Sequence, residues 1–244
     1  MKYTYHDIAR MIDISALKFD TTKKQVDDMI AVCKEHDIGC AFAMSCYSEY
    51  LRDALIGTNT EFGTSLGFPS GQYCTASKVW EAEYFLGLGA DQVDMVLNVG
   101  LLKSGMLKEV AADIAAVRKA TTGTSLKVII EASLLTDDEI KEACNIVAQE
   151  GAEYVKSGTG FSPATTMHHV KVMEEAILNK GIKFKVAGGV KDLATLLAMK
   201  AHNVDRFGIG MAGTISILKE ASAFPNGVSL SDVTGNTNNS NESY

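Results

Sequence analysis

Apolar positions along the chain fall into short Val-, Ile- and Leu-rich runs, separated by longer stretches in which they recur every three or four residues. The runs fit strands buried on both faces and the longer stretches fit amphipathic helices, so their alternation predicts βα units around a parallel sheet. Strands are expected over residues 11–15, 39–44, 62–68, 92–98, 126–132, 153–157, 184–187 and 205–210, with helices over 23–35, 75–87, 108–120, 137–150, 165–179 and 193–201 among them. Thr21 or Thr22, Thr75, Thr136 and Ser162 stand where helix N-caps are wanted. Thr136-Asp-Asp-Glu139 has the form of a capping box, and Gly151 follows its helix where a left-handed residue is expected. Eight such units in 244 residues match the α/β class as a single-domain (β/α)8 TIM barrel. The other fold considered, an open doubly wound sheet, would want a glycine fingerprint after its first strand, and the stretch from Asp13 to Lys18 has none.

Three ionisable residues interrupt these apolar runs: Asp94 in Val93-Asp-Met-Val-Leu97, Lys156 in Tyr154-Val-Lys-Ser157 and Lys185 in Phe184-Lys-Val-Ala187. A strand lysine ordinarily sits at a sheet edge with its ammonium in water, but a closed barrel has no edge. Lys156 must then face either the helices or the barrel mouth. Burial lowers an amine's proton affinity, and a neutral lysine is a nucleophile that forms a Schiff base with a carbonyl. Lys185 would penalise protonation of Lys156 by like-charge repulsion, and Asp94 would relay protons, through water. Taken singly, each is as well explained as a satisfied structural charge; together they supply what aldol cleavage through an enamine requires. Glu131 either organises the lysine pair or partners a barrel lysine such as Lys127.

Two glycine turns close the last strands, Ala187-Gly-Gly-Val190 and Gly208-Ile-Gly-Met-Ala-Gly213, with Gly158 and Gly160 beside them. In this barrel type those turns commonly hold phosphate, through converging N–H groups and helix N-termini. Gly158, Gly160, Gly188, Gly189, Gly208 and Gly210 are therefore candidate substrate-binding positions, although turn chemistry explains each one singly.

Composition narrows the partners. The net charge of −7, without a Lys/Arg cluster, gives no support to nucleic acid or an anionic membrane as a partner. No apolar run approaches a membrane span and the N-terminus has no signal-peptide core, so a cytosolic, cytoplasmic location is expected. The five cysteines show no CxxC spacing, which argues against disulfides and a zinc knuckle. His168 and His169 are adjacent and so point to different helix faces, and neither HExxH nor HxH occurs, which counts against a metal-dependent aldolase. With 3 prolines and no composition shift there is no seam: one barrel domain is expected over 1–231, and an Asn/Ser/Gly/Thr-rich flexible tail over 232–244.

The chain resembles the deoxyribose-phosphate aldolases, as a divergent member. Ile12-Asp-Ile-Ser-Ala-Leu-Lys18 is similar to that family's opening strand, Gly67-Phe-Pro-Ser-Gly71 to its GFP turn, and Gly89-Ala-Asp-Gln-Val-Asp-Met-Val96 to its aspartate strand. Lys127-Val-Ile-Ile-Glu131 and Leu134-Leu-Thr-Asp-Asp-Glu139 resemble the next unit, Val155-Lys-Ser-Gly-Thr-Gly-Phe161 the Schiff-base strand, and Lys185-Val-Ala-Gly-Gly189 the strand of the second lysine. The resemblance implies a class I aldolase, without metal or organic cofactor, that reversibly cleaves 2-deoxy-D-ribose 5-phosphate to D-glyceraldehyde 3-phosphate and acetaldehyde. It makes Lys156 the Schiff-base former, Lys185 its pKa-lowering neighbour and Asp94 the proton relay. Ser15 stands where the family places a hydroxyl lining the pocket, and Tyr244 where some members carry a terminal tyrosine that visits the site. The partners expected are a sugar phosphate and an aldehyde, with a homodimer left open. The departures concern substrate: Gly210 and Met211 stand where a phosphate-binding serine pair is usual, Phe42 stands near a small cysteine position and narrows the mouth, and Ser157-Gly158 replaces a Thr-Ser pair. A same-mechanism aldolase with another acceptor aldehyde is thus a second reading. A non-catalytic sugar-phosphate-binding barrel is a third, against which the three filled key positions count.

Overall fold

The computed structural model describes residues 1–234, in which eight parallel strands close into a barrel. In chain order these are β1 (Ile12–Ala16), β2 (Cys40–Ala43), β3 (Glu61–Leu66), β4 (Gln92–Val96), β5 (Ser125–Ile129), β6 (Tyr154–Lys156), β7 (Lys183–Ala187) and β8 (Arg206–Gly210). Each pairs with its successor, and β8 returns to β1, so this is the (β/α)8 barrel expected from the periodicity. Helices α1 (Tyr5–Met11), α2 (Lys23–His36), α3 (Ser48–Leu55), α4 (Thr75–Gly87), α5 (Val99–Lys103) and α6 (Leu107–Ala120) belong to the first half. The second half adds α7 (Asp137–Gln149), α8 (Met167–Ile177), α9 (Leu193–Lys200), α10 (Met211–Ala221) and α11 (Leu230–Thr234). The last of these crosses the boundary expected at residue 231. Among the described residues no helix is long and apolar enough to cross a membrane.

Local chemistry explains most element limits. Thr22 with Gln25 and Thr136 with Glu139 form reciprocal capping boxes, and Gly151 takes φ +76° just beyond α7. Two expected caps are corrected. Cys74 precedes α4, and the Thr75 hydroxyl instead donates to Asp113 Oδ1 at 2.8 Å; α8 is capped by Thr166 with His169, not by Ser162. The chain also leaves the ladder early after β4 and β5, because its next residues build the mouth. Asn98 Oδ1 accepts from Leu101 N to cap α5, and Glu131 adopts φ +55°.

The strand alternation divides the residues into two sets. One set, including Ile14, Val93, Met95, Leu126, Val128, Val155, Phe184, Val186 and Phe207, packs in the apolar layer under the helices. The other faces inward, and it is ionic where barrels usually hold branched aliphatics. Asp13, Asp94, Lys127, Lys156, Lys185 and Arg206 meet there, around the single ring of Phe42. Gly63 on β3 makes room for that ring. A Cβ at residue 63 would stand 2.4 Å from Phe42 Cζ.

Gly63→Ala is expected to cost about 1–3 kcal/mol in urea unfolding through this overlap. The penalty should shrink in a Phe42→Ala background, and strict additivity of the two changes would show that the ring is not what the glycine accommodates.

Candidate active site

Hydrogen-bonded register sets the first distances. Lys156 lies directly across the ladder from Lys185, and Lys185 across from Arg206, so all three side chains share the inner face. Asp94 is likewise opposite Lys127. Asp94 Oδ2 accepts from Lys156 Nζ at 2.8 Å and from Lys185 Nζ at 2.7 Å, while Oδ1 lies 3.5 Å from Lys127 Nζ. One carboxylate oxygen thus bridges two lysines, whose separation cannot exceed the span of two hydrogen bonds. Lys185 also reaches Asp13 Oδ2 at 2.6 Å, and Arg206 Nε donates to Asp13 Oδ1 at 2.7 Å. The Lys185 ammonium lies 4.3 Å from the Phe42 ring centroid, and Lys127 is held below by Gln92.

All of these charges are dry: Asp94 is 0% exposed, Lys127 0%, Lys185 1% and Lys156 4%. Two carboxylates face four basic side chains, so the cluster has more protons than it can neutralise. Burial alone would raise the Asp94 carboxyl, but Lys156, Lys185 and Lys127 outweigh it and hold the acid well below the usual range. Lys156 moves the other way. Burial is the largest influence, opposed by Asp94 and reinforced by the charge of Lys185, and it brings the amine from 10.5 down to about 8. Burial would depress Lys185 too, but Asp13 and Asp94 more than compensate and raise it, so it keeps its proton. Like-charge repulsion is therefore secondary to desolvation at Lys156, which changes the weight given to Lys185 by the sequence reading. Lys127, chiefly through burial, is also lowered.

Above the cluster opens a cavity of about 1110 Å³, lined at its base by Asp13, Ser15, Phe42, Lys156 and Lys185. Gly160, Gly188, Gly189, Gly208 and Gly210 contribute to its walls. Gly188 and Gly189 have φ +82° and +95°, and Gly210 begins α10 with no side chain capping its N–H groups. Lys18 and Lys191 also contribute to the lining, from the loops after β1 and β7. Gly158 does not line the cavity. A Cβ there would meet Glu131 Oε1 at 3.0 Å and Ala187 O at 3.4 Å, so this glycine permits a backbone approach behind the wall. Asp94 also lies beneath the lining, in contact with Lys156 and Lys185, which line the cavity, and with Lys127, which does not. Tyr244 and the rest of the tail beyond residue 234 lie outside the described residues.

Glu131 serves neither role expected of it. Its carboxylate accepts from Thr159 Oγ1 at 2.6 Å and from Thr159 N at 3.2 Å, fixing the loop after β6. Ser157 and Thr165 tie that loop to β7: their hydroxyls are 2.9 Å apart, and Thr165 Oγ1 donates to Ala187 O at 2.9 Å. Sequence reasoning missed Asp13 and Arg206 as members of the ionic cluster, and Thr165 as a brace. The signal for the first two was present, since each is a charge at an inward position of an apolar strand.

The model of the DeoC/LacD family aldolases matches residues 8–220. A deoxyribose-phosphate aldolase of Streptococcus equi subsp. zooepidemicus is 38% identical over 214 residues, 87% of this chain and 96% of that protein. Among solved structures, an aldolase designated QR15 superposes with a TM-score of 0.83 at 29% identity, covering 89% of this chain and 97% of the other. The tetrameric deoxyribose phosphate aldolase of Aeropyrum pernix shares the fold, with a TM-score of 0.83 at 21% identity over 91% of this chain and 93% of its own.

Asp94→Asn removes the one group that both ammoniums share. It is expected to destabilise the protein by about 3–5 kcal/mol in chemical denaturation, as breaking a buried ion pair does. It should also move the pH midpoint for reductive alkylation of Lys156 below the parent's, because Asp94 is the influence that raises this amine. A midpoint that stays in place would contradict the shared-carboxylate arrangement.

Proposed function

The chain belongs to the DeoC/LacD family of aldolases, as a lyase of the deoxyribose-phosphate aldolase type, and on that premise we propose a Schiff-base mechanism at Lys156 with 2-deoxy-D-ribose 5-phosphate as substrate. The observation that carries it is a nearly buried amine whose pKa falls to about 8, at the base of a cavity and bonded to a fully buried carboxylate. Neutral Lys156 adds to the C1 aldehyde to form a carbinolamine, which loses water to give an iminium. The C2–C3 bond then breaks, with its electron pair flowing toward the iminium nitrogen and the C3 hydroxyl giving up its proton. D-Glyceraldehyde 3-phosphate departs, and acetaldehyde remains as the enamine until its carbon is protonated and one water hydrolyses the iminium.

In this reading Asp94, expected to relay protons, instead stays ionised and holds the two lysine nitrogens together. A carboxylate held so acidic is a weak base, and it does not face the cavity. Lys185 does face it and stays protonated, so it is the acid that delivers a proton to the departing carbinolamine oxygen, directly or through water. Ser15 is proposed as a hydroxyl that orients the substrate. Phosphate is assigned to the N–H groups of Gly188, Gly189 and the first turn of α10, with Lys191 also in the lining. The lost serine hydroxyls at Gly210 and Met211 favour a second reading, in which the acceptor differs from D-glyceraldehyde 3-phosphate. The cytoplasmic location also belongs to the proposal, supported by the free thiols of Cys33, Cys40, Cys46, Cys74 and Cys144. So does the homodimer, supported only by the general habit of such enzymes to assemble symmetrically and checked by sedimentation.

Borohydride in the presence of acetaldehyde should add one ethyl group at Lys156, and an unmodified Lys156 peptide would remove the mechanism. The rate of this trapping should rise with pH and level off above about 8. At pH 6 only about one amine in a hundred is neutral, so the rate there should be about a hundredfold below the plateau. For phosphate, kcat/KM should be at least about tenfold higher on 2-deoxyribose 5-phosphate than on 2-deoxyribose. Equal values would eliminate the anion site.

A further inference from the structure

Inside the barrel the polar side chains form a closed circuit, of which only Asp13 and Lys185 touch the cavity. From Asp94 it runs to Lys127 at 3.5 Å, through Gln92 to Glu61, and from Glu61 to Arg206 at 3.7 Å. Arg206 Nε donates to Asp13 Oδ1 at 2.7 Å, Asp13 Oδ2 lies 2.6 Å from Lys185 Nζ, and Lys185 returns to Asp94 at 2.7 Å. Lys156 joins this circuit at Asp94. Glu61, Gln92 and Arg206 each begin their strand, so they lie at the end of the barrel away from the cavity, where residues ordinarily serve stability alone.

The place of Arg206 is prepared. A Cβ at residue 39 would stand 2.8 Å from Arg206 Nη2, and glycine there leaves the guanidinium its room. Both Nε and Nη2 address the same oxygen, Asp13 Oδ1, which leaves Oδ2 for Lys185. Burial would raise the Asp13 carboxyl, but Lys185 and then Arg206 outweigh it and keep it ionised. Counted with its pendant amine, the circuit sets three carboxylates, Asp13, Glu61 and Asp94, against four basic groups, Lys127, Lys156, Lys185 and Arg206. One proton is in surplus. A guanidinium cannot release it, so an amine must. Were residue 206 neutral, three carboxylates would meet three amines and the surplus would vanish. Asp13 would then serve Lys185 alone and draw it from Asp94, leaving Asp94 to hold Lys156 in its charged form.

We propose that Arg206 is a positioning residue for the amine chemistry: by gripping Asp13 from the far end of the barrel, it fixes the charge surplus that leaves Lys156 free to act as a nucleophile. This rests on the Schiff-base reading above. Arg206 and Lys156 flank β7 on β8 and β6, so two strand spacings, roughly 10 Å, separate their backbones. A unit charge at that distance shifts an amine by about one pH unit at an effective dielectric constant of about 20. Other ionisable groups near the circuit do not interfere. Burial holds the Cys40 thiol and the Tyr154 phenol above their usual ranges, and Lys183 is exposed over the Tyr154 ring. Arg10 is turned to the carbonyls of Ile38 and Asn59, and Asp205 to Phe184 N.

The test follows borohydride trapping of acetaldehyde on Lys156 against pH in the parent, Arg206→Gln, Arg206→Lys and Glu61→Gln. Glutamine keeps a donor toward Asp13 without the charge, and the midpoint should rise by about one unit from about 8, so that trapping at pH 7 falls about tenfold while the high-pH plateau stays within about threefold. Lysine restores the charge and should bring the midpoint at least half way back. Glu61→Gln, at a side chain 37% exposed and so tolerant of change, removes a carboxylate from the circuit and should move the midpoint down, by about a third of a unit after solvent screening. A purely structural role for Arg206 would lower the plateau and leave the midpoint in place. An unmoved or lowered midpoint in Arg206→Gln overturns the proposal, as does an unmoved or raised one in Glu61→Gln should the glutamine form at 206 not fold. The same midpoints are read chemically by methylating Lys156 with formaldehyde and cyanoborohydride. A parent that is methylated at Lys156 but traps no acetaldehyde overturns the Schiff-base reading instead, so the two failures are told apart.

Discussion

Everything at the centre of this barrel depends on one carboxylate that serves more ammonium groups than it can neutralise. Asp94 receives Lys156 and Lys185 on the same oxygen and Lys127 near the other, in surroundings from which water is excluded. In such a place each further proton is costly, and the cheapest one to lose belongs to the amine with the fewest counter-charges. Lys185 has Asp13 as well, and Lys127 lies deeper beside Gln92. Lys156, held by Asp94 alone and touching the cavity, is the group placed to give its proton up.

The fold was legible because strand and helix periods alternate cleanly, and because the charged exceptions fall at inward positions. The strand limits were less so. Asn98 and Glu131 continue apolar runs in the sequence, yet one caps a helix and the other takes a left-handed conformation to hold Thr159. The cap at Thr75 failed because a tertiary partner, Asp113, takes its hydroxyl, and the one at Ser162 because the helix starts later, at Met167 behind Thr166. At the site, Asp94, Lys156 and Lys185 stood out as charges amid apolar neighbours. Asp13 and Arg206 did so too, but their importance lies in a pairing that joins the first strand to the last, which no local pattern reveals.

The two walls of the cavity have different physical origins. The glycine side, from Gly188 to the start of α10, is backbone geometry. The aromatic side, where the rings of Phe19, Phe68 and Phe161 meet, is made of side chains on three separate loops, each braced by its own hydrogen bonds.

The register that puts Lys156 opposite Lys185 has a further consequence. Their backbone spacing is written into adjacent rungs of a ladder that has no free end, so it is insulated from whatever happens to the crown of loops. The molecule is accordingly organised as a fixed ionic core beneath loops that carry the outer lining of the cavity.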